Sequence, residues 1–142
     1  MLTADFPRIS KFVAEAVGCP IHDRGNAAIG WTRDDELVAG VMYEHYTGAS
    51  IEATIAVAPG AVLVREFMHY IFDYPFNQLK VNVILISVAE SNWKSRNLVE
   101  KMGFTKEAEI AGVYPDGAML IYTMTPGKCR WLEKEHGQVE QN

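Results

Sequence analysis

Little in this chain points toward nucleic acid, a membrane or an oxidising compartment. Lys and Arg total 13 against 18 Asp and Glu, for a net charge of −5, and no run of cations gathers into a patch that could track a phosphate backbone. No apolar segment reaches the roughly 20 residues that a membrane-spanning helix requires. The opening MLTADFPRISKFVAEAVG has acidic residues where a secretory leader would carry a basic start and an unbroken apolar core. These features together lead us to expect a cytoplasmic protein with no membrane or nucleic-acid partner. Cysteine is scarce as well: Cys19 and Cys129 are the only two, and such a pair without an export signal suggests reduced thiols rather than a disulfide framework. A zinc site built from Cys19, His22, Cys129 and His136 lacks a second closely spaced ligand pair, so no metal is expected. Walker and dinucleotide glycine patterns, internal repeats and low-complexity stretches are all missing.

What is present suits one domain with its own core, because 142 residues at 49% hydrophobic content are enough to bury one. We assign residues 1–132 to that domain and residues 133–142 to a charged tail whose start is anchored by Trp131 and Leu132. Phe6, Ile9, Phe12, Val13, Ala16 and Val17 recur at helical spacing and stop at Gly18 and Pro20, which predicts a helix over 6–17. Strands are predicted over 27–33 and 37–46, joined by the polar turn Arg33-Asp34-Asp35-Glu36. Within the second of them Gly40 marks a bulge or a close approach by another backbone. A third strand over 50–58 alternates Ile51, Ala53, Ile55 and Val57 with Glu52, Thr54 and Ala56. Pro59-Gly60 then leads into a helix over 61–74 that presents Leu63, Val64, Phe67, Met68, Ile71 and Phe72.

The stretch from Val81 to Phe104 organises the rest. Val81, Val83, Ile84, Leu85, Ile86 and Val88 form a β-branched run that predicts a strand buried on both faces. Glu90, Ser91 and Asn92 break the run, and Trp93 to Met102 resumes at helical spacing before a C-cap at Gly103. The third and fourth strands with the helix between them make a crossover unit, so the two should be parallel. A final hairpin over 107–114 and 118–125 turns at Pro115-Asp116-Gly117. The order is that of an α+β fold: a mixed, mostly antiparallel sheet with a parallel pair at its centre, flanked by helices. A strand leading into an Asn-headed helix places free N–H groups at the carboxyl end of a sheet, where such sheets bind ligands.

The pattern Asn92-x-x-Ser95-x-x-Leu98-x-Glu100-Lys101-x-Gly103-Phe104, following a buried strand, resembles the GNAT acyltransferase superfamily. It is most similar to the branch that acetylates protein N-termini, ribosomal proteins and small amines, over residues 28–125. The resemblance implies an N-acetyltransferase whose central strands splay to admit acetyl-CoA and pass its acetyl group directly to an amine: a protein N-terminus, a lysine or a small molecule. It implies cofactor contacts from the backbone of Thr54 to Ala58, including Ala56 and Val57, and from the loop Gly60, Ala61, Val62, Leu63 and Val64. Arg65 is either a phosphate partner or a solvated helix charge. Asn92 serves as N-cap and as partner of the cofactor's amide, and Ser95 either stands near the sulfur or simply starts the helix.

Glu52 matches the family's general base, and burial on its strand would suit it to take a proton at neutral pH; the alternative is a rim carboxylate. By strand alternation Glu44 and His45 point in opposite directions, so only one of them faces the cleft. Tyr114 and Tyr122 on the closing hairpin, and Trp31, Tyr43 and Tyr46, line the acceptor side or fill the core. His69 has no acid of triad type nearby in this reading. Two departures from the family stand out: Val62 replaces the phosphate loop's second glycine, and Val99 replaces the Tyr that protonates the leaving thiolate. They motivate a second reading, a GNAT-fold protein that does not catalyse and serves as a binding or assembly module, or as a homodimer. A slot open at residues 60–64 separates the first reading from the second.

Overall fold

A single sheet contains every strand of the computed structural model, which describes residues 1–18 and 26–132. Its strands are β1 (Leu2–Thr3), β2 (Ala27–Arg33), β3 (Glu36–Glu44), β4 (Ser50–Val57), β5 (Val83–Ala89), β6 (Thr105–Tyr114) and β7 (Gly117–Met124). They lie in the order β1-β2-β3-β4-β5-β7-β6, and of the neighbouring pairs only β4 and β5 are parallel. The helices are α1 (Phe6–Val17), α2 (Arg65–Asp73), extended by a π-helical turn at Tyr74–Gln78, and α3 (Trp93–Met102). This is the α+β architecture expected, with β1 as an addition too short to leave a sequence signal.

Alternation divides the core between the two faces of the sheet. Ile9 and Val13 of α1 pack on Ala28, Met42 and Ala56 on one face. On the other, Phe67, Met68, Ile71 and Phe72 of α2 with Val99 and Met102 of α3 pack on Val41, Tyr43, Ile51, Ala53, Ile84, Ile86 and Leu120. The helix α1 needs close access, and Gly40 provides it: a Cβ there would meet Ile9 Cγ2 at 3.1 Å and Val13 Cγ2 at 3.3 Å. Gly40 therefore marks the approach of helix side chains, whereas the irregularity in strand pairing falls at Trp31/Thr32. The turn between β2 and β3 holds Asp34 and Asp35 at φ 53 and 65, a conformation that Asp tolerates better than most residues.

Two expectations about elements change. β5 is buried on one face only, with Ile84, Ile86 and Val88 inside and Ser87 exposed, because α1 covers β2 to β4 and stops short of it. α2 begins at Arg65 rather than at residue 61: Gly60 sits at φ 79, Ala61 N–H closes a turn on Ala58, and Val64 is extended. At the other end of α2, Pro75 has no N–H to give the carbonyl of Ile71. Tyr43, 1% exposed, gives its hydroxyl to that carbonyl at 2.6 Å.

Tyr43→Phe removes this buried hydrogen bond and is expected to destabilise the fold by about 1–2 kcal/mol, read from urea unfolding at neutral pH. Burial, reinforced by Tyr74, holds the Tyr43 phenol well above its ordinary value near 10. The unfolded chain therefore gives up that proton first as pH rises past 10, and stability falls from there toward the folded value. The Phe variant should show a shallower alkaline loss than the wild type.

Candidate active site

β4 and β5 are hydrogen-bonded neighbours only at Ser50 with Val83, Ile51 with Ile84 and Glu52 with Leu85. Beyond that rung they part. β4 stays registered with β3 as far as Val57 opposite Ala39, and β5 stays with β7 as far as Ala89 opposite Met119. Each strand follows its own antiparallel partner, so the edge of β4 from Ala53 to Val57 is left facing a gap. A cleft of about 790 Å³ opens there, lined by Ile55, Ala56, Val57 and Ala58, by the loop Pro59 to Leu63, and by the N-terminal face of α3.

α3 is positioned at both ends. Asn92 Oδ1 accepts from Ser95 N–H at 3.2 Å, the cap that the sequence indicated. At the far end Gly103 adopts φ 106, and its N–H and that of Phe104 return to Glu100 and Val99. The C-terminal segment completes the closure: Trp131 Nε1 donates to the Met102 carbonyl at 2.9 Å, and the Arg130 guanidinium donates to that of Lys101. The helix's last carbonyls are thereby satisfied and Trp131 becomes a wall of the cleft.

The slot at the loop is open. Val62 is 71% exposed and stands at the rim, and a Cβ on Gly60 would meet nothing within 4 Å. Val62 is one of the residues lining the cleft, and its side chain is exposed there rather than packed into the slot. Free amides at the start of α2 belong to Arg65 and its successors, since Val64 offers no side-chain cap. The guanidinium of Arg65 lies 5.5 Å from the centre of the Trp131 ring. Asn92 and Ser95 both line the cleft, and Ser95 has the one hydroxyl among the described lining residues. Val99 is 2% exposed and sealed in the core, so no phenol substitutes for it from that position.

Sequence reasoning missed Lys94, Lys101 and the end of α1, all of which line the cleft. The two lysines lie two helical turns apart, flanking Leu98, and that spacing was the available signal.

Glu52 lies outside the cleft lining, at the last rung of the parallel pair, directly opposite Glu44 of β3. Its side chain is 47% exposed, so the burial expected of it is not there; the reason is again that α1 stops short of this corner. His45 Nδ1 is 2.8 Å from Glu52 Oε2. Strand alternation fails here, because β3 ends at Glu44 and His45 takes φ 56; Glu44 and His45 therefore both serve the Glu52 corner.

The remaining aromatics are mostly structural. Tyr43 and Tyr122 are 1% exposed, Trp31 packs tilted against Phe67 at 5.6 Å between ring centres, and Tyr122 donates to Glu100 at 2.6 Å. Burial, then the bond to Glu100, pushes the Tyr122 phenol up. Tyr46 is exposed and donates to the Leu79 carbonyl at 3.3 Å. His69 has Asp73 at 4.0 Å on the next helical turn, beyond hydrogen-bond reach, and that carboxylate accepts from Asn77 and Gln78, so it is not an acid of triad type. Among the described residues no group of His, Cys, Asp or Glu is arranged to hold a metal; Cys19, His22 and His136 lie outside those residues. No helix among them is long and apolar enough to cross a membrane.

No protein-family model matches the sequence, and no curated protein matches it. Solved structures do. The F149A mutant of spermidine N-acetyltransferase SpeG from Vibrio cholerae superposes with a TM-score of 0.75 at 18% identity, covering 95% of this chain and 99% of that one. Spermidine/spermine N-acetyltransferase SpeG from the same organism, in complex with manganese ions, gives 0.71 at 20% identity over 94% and 95%. The dodecameric structure of the Vibrio cholerae enzyme in an intermediate state gives 0.72 at 19% over 90% and 94%. The chain thus has the GNAT fold, as its central signature implied.

Asn92→Ala should lower stability by about 1 kcal/mol through loss of the cap, and Asn92→Ser should retain most of it. Thermal unfolding of the two variants beside the wild type measures the difference.

Proposed function

We propose that the protein is an acetyl-CoA-dependent N-acetyltransferase acting on a cationic amine. The parting of β4 from β5 after the Glu52 rung supports this reading most, since it leaves a strand edge and a helix N-terminus facing one open cleft. The backbone of Ala56, Val57 and Ala58 would hold the pantetheine arm. Residues 60–64 with Arg65, and the lysines 94 and 101, would receive the phosphates. Asn92, whose Oδ1 caps α3, keeps its amide N–H groups for the cofactor.

Bound acetyl-CoA supplies an activated acyl carbon and a thiolate leaving group. The chain's own part is to orient, to exclude water and to move protons. Ser95 holds a hydroxyl proton at the α3 N-terminus, able to take the nitrogen's second proton and give one to the sulfur. Glu52 belongs to the acceptor side. Its cross-strand partner Glu44 adds a second carboxylate, and two like charges directly opposite on a strand pair are relieved by a cation between them. Polyamine acetylation by the proteins of similar fold supports a small polycationic acceptor. The open slot at residues 60–63 favours this reading over a module that only binds, which is left with Val99 as its motive.

Titration calorimetry should detect micromolar acetyl-CoA binding, abolished by Gly60→Trp, and the wild type should transfer acetyl to spermidine in preference to an N-terminal peptide. Ser95→Ala is expected to reduce kcat about 10-fold to 100-fold with binding retained. No heat at millimolar cofactor, together with no product, would sink the enzyme reading.

A further inference from the structure

We propose that His45 is the group that takes the acceptor's proton, with Glu52 holding its imidazole in the tautomer that can do so. The chemistry rests on the acetyltransferase reading above; the geometry rests on the β3–β4 hairpin. Nδ1 of His45 faces Glu52 Oε2 at 2.8 Å. A carboxylate at that distance fixes the proton on Nδ1 and leaves the lone pair on Nε2, the logic by which an acid orients a histidine base. Among the described residues nothing engages Nε2, and the side chain is 70% exposed.

The hairpin holds this arrangement from both sides. Glu44 and Glu52 are the last cross-strand pair before the connecting loop. Thr47 Oγ1 accepts from the N–H of Ser50 at 2.9 Å and of Ala49 at 3.2 Å, and Tyr46 is tied to Leu79. His45 itself adopts φ 56, a region that costs a β-carbon-bearing residue energy and is kept where surroundings enforce it. Position matters as much: Glu52, to which the imidazole is bound, is the last residue of β4 paired to β5, the rung after which the strands part, at the opposite end of β4 from the phosphate loop.

Geometry decides between the two candidates for the base. Glu52 Oε2 is already engaged by the imidazole, whereas among the described residues nothing engages Nε2, so the imidazole is the group with a free lone pair to offer an amine's proton. In the step itself the N–H bond of the acceptor ammonium breaks and the proton bonds to Nε2. The electron pair stays on nitrogen for attack on the acyl carbon. The imidazolium, balanced by Glu52, then releases the proton to solvent.

Nitrogen–proton correlation spectra of the imidazoles in the full-length protein test the pairing without reference to activity. The wild type should show His45 protonated at Nδ1, and Glu52→Ala should shift it toward the Nε2–H form; an Nε2–H tautomer in the wild type overturns the proposal. Kinetics test the role. His45→Gln and Glu52→Ala should each lower kcat for spermidine acetylation about 100-fold, the double variant no further, and free imidazole should restore His45→Ala. Acetyl-CoA affinity should stay unchanged in all of them. A wild type that transfers acetyl while His45→Gln keeps its rate within about threefold, or losses that multiply in the double variant, overturns the role of His45 alone. A wild type that binds no acetyl-CoA overturns the acetyltransferase reading and the catalytic step together.

Discussion

The structure turns on how briefly β4 and β5 pair. Parallel strands are ordinarily held along their length, but here the pairing ends at Glu52 and Leu85 while each strand keeps its antiparallel partner to the end. Two twisted halves of a sheet, joined by a short parallel seam, diverge from it. Backbone groups on the inner edge of β4 cannot remain buried without partners, since each orphan costs free energy comparable to a lost hydrogen bond. The gap must therefore be open to water or to a ligand with matching donors and acceptors.

Other elements can be understood by what they do for that gap. The α3 helix closes one side, and its start is capped by Asn92 while its end is sealed by Gly103, Trp131 and Arg130. α2 fills the space beneath with Phe67, Ile71 and Phe72, and its disrupted end is repaired by Tyr43 from the sheet. α1 covers the β2–β4 half alone and leaves the far half of that face open. That partial cover leaves a corner with no helix over it, where Glu52 and His45 meet solvent.

Much of this was legible in the residues. The limits of β2 and α3, the cap at Asn92, the turn at Asp116 and the central crossover follow from short-range chemistry: period, capping and turn preference. Features set by long-range geometry were not. Nothing local says that α1 stops before β5, so the apolar run at Val83 to Val88 suggested burial on both faces. Val62 marked a departure from the phosphate loop because its residue type is visible in sequence; that its side chain stands exposed at the rim of the cleft is not. His45 was assigned by alternation, a rule that holds inside a strand and lapses one residue past its end. Lys94 and Lys101 are legible in the sequence as a helical stripe, but which surface that stripe borders depends on the splay.

Charge is sorted along β4 in a way that net composition conceals. Lys94, Lys101 and Arg65 stand near its carboxyl end, by the loop, and Glu44 and Glu52 stand near its amino end. From Glu52 to Val57 an extended strand covers about 16 Å, and charges in physiological salt are screened over about 8 Å. The two ends therefore act on ligands almost independently despite a net charge of −5. An anionic ligand is drawn to one end and a cationic ligand to the other, and neither is favoured at the other's end. For the acetyl transfer proposed above, which needs both molecules aligned along one strand, that separation of sign would supply orientation before any side chain makes specific contact.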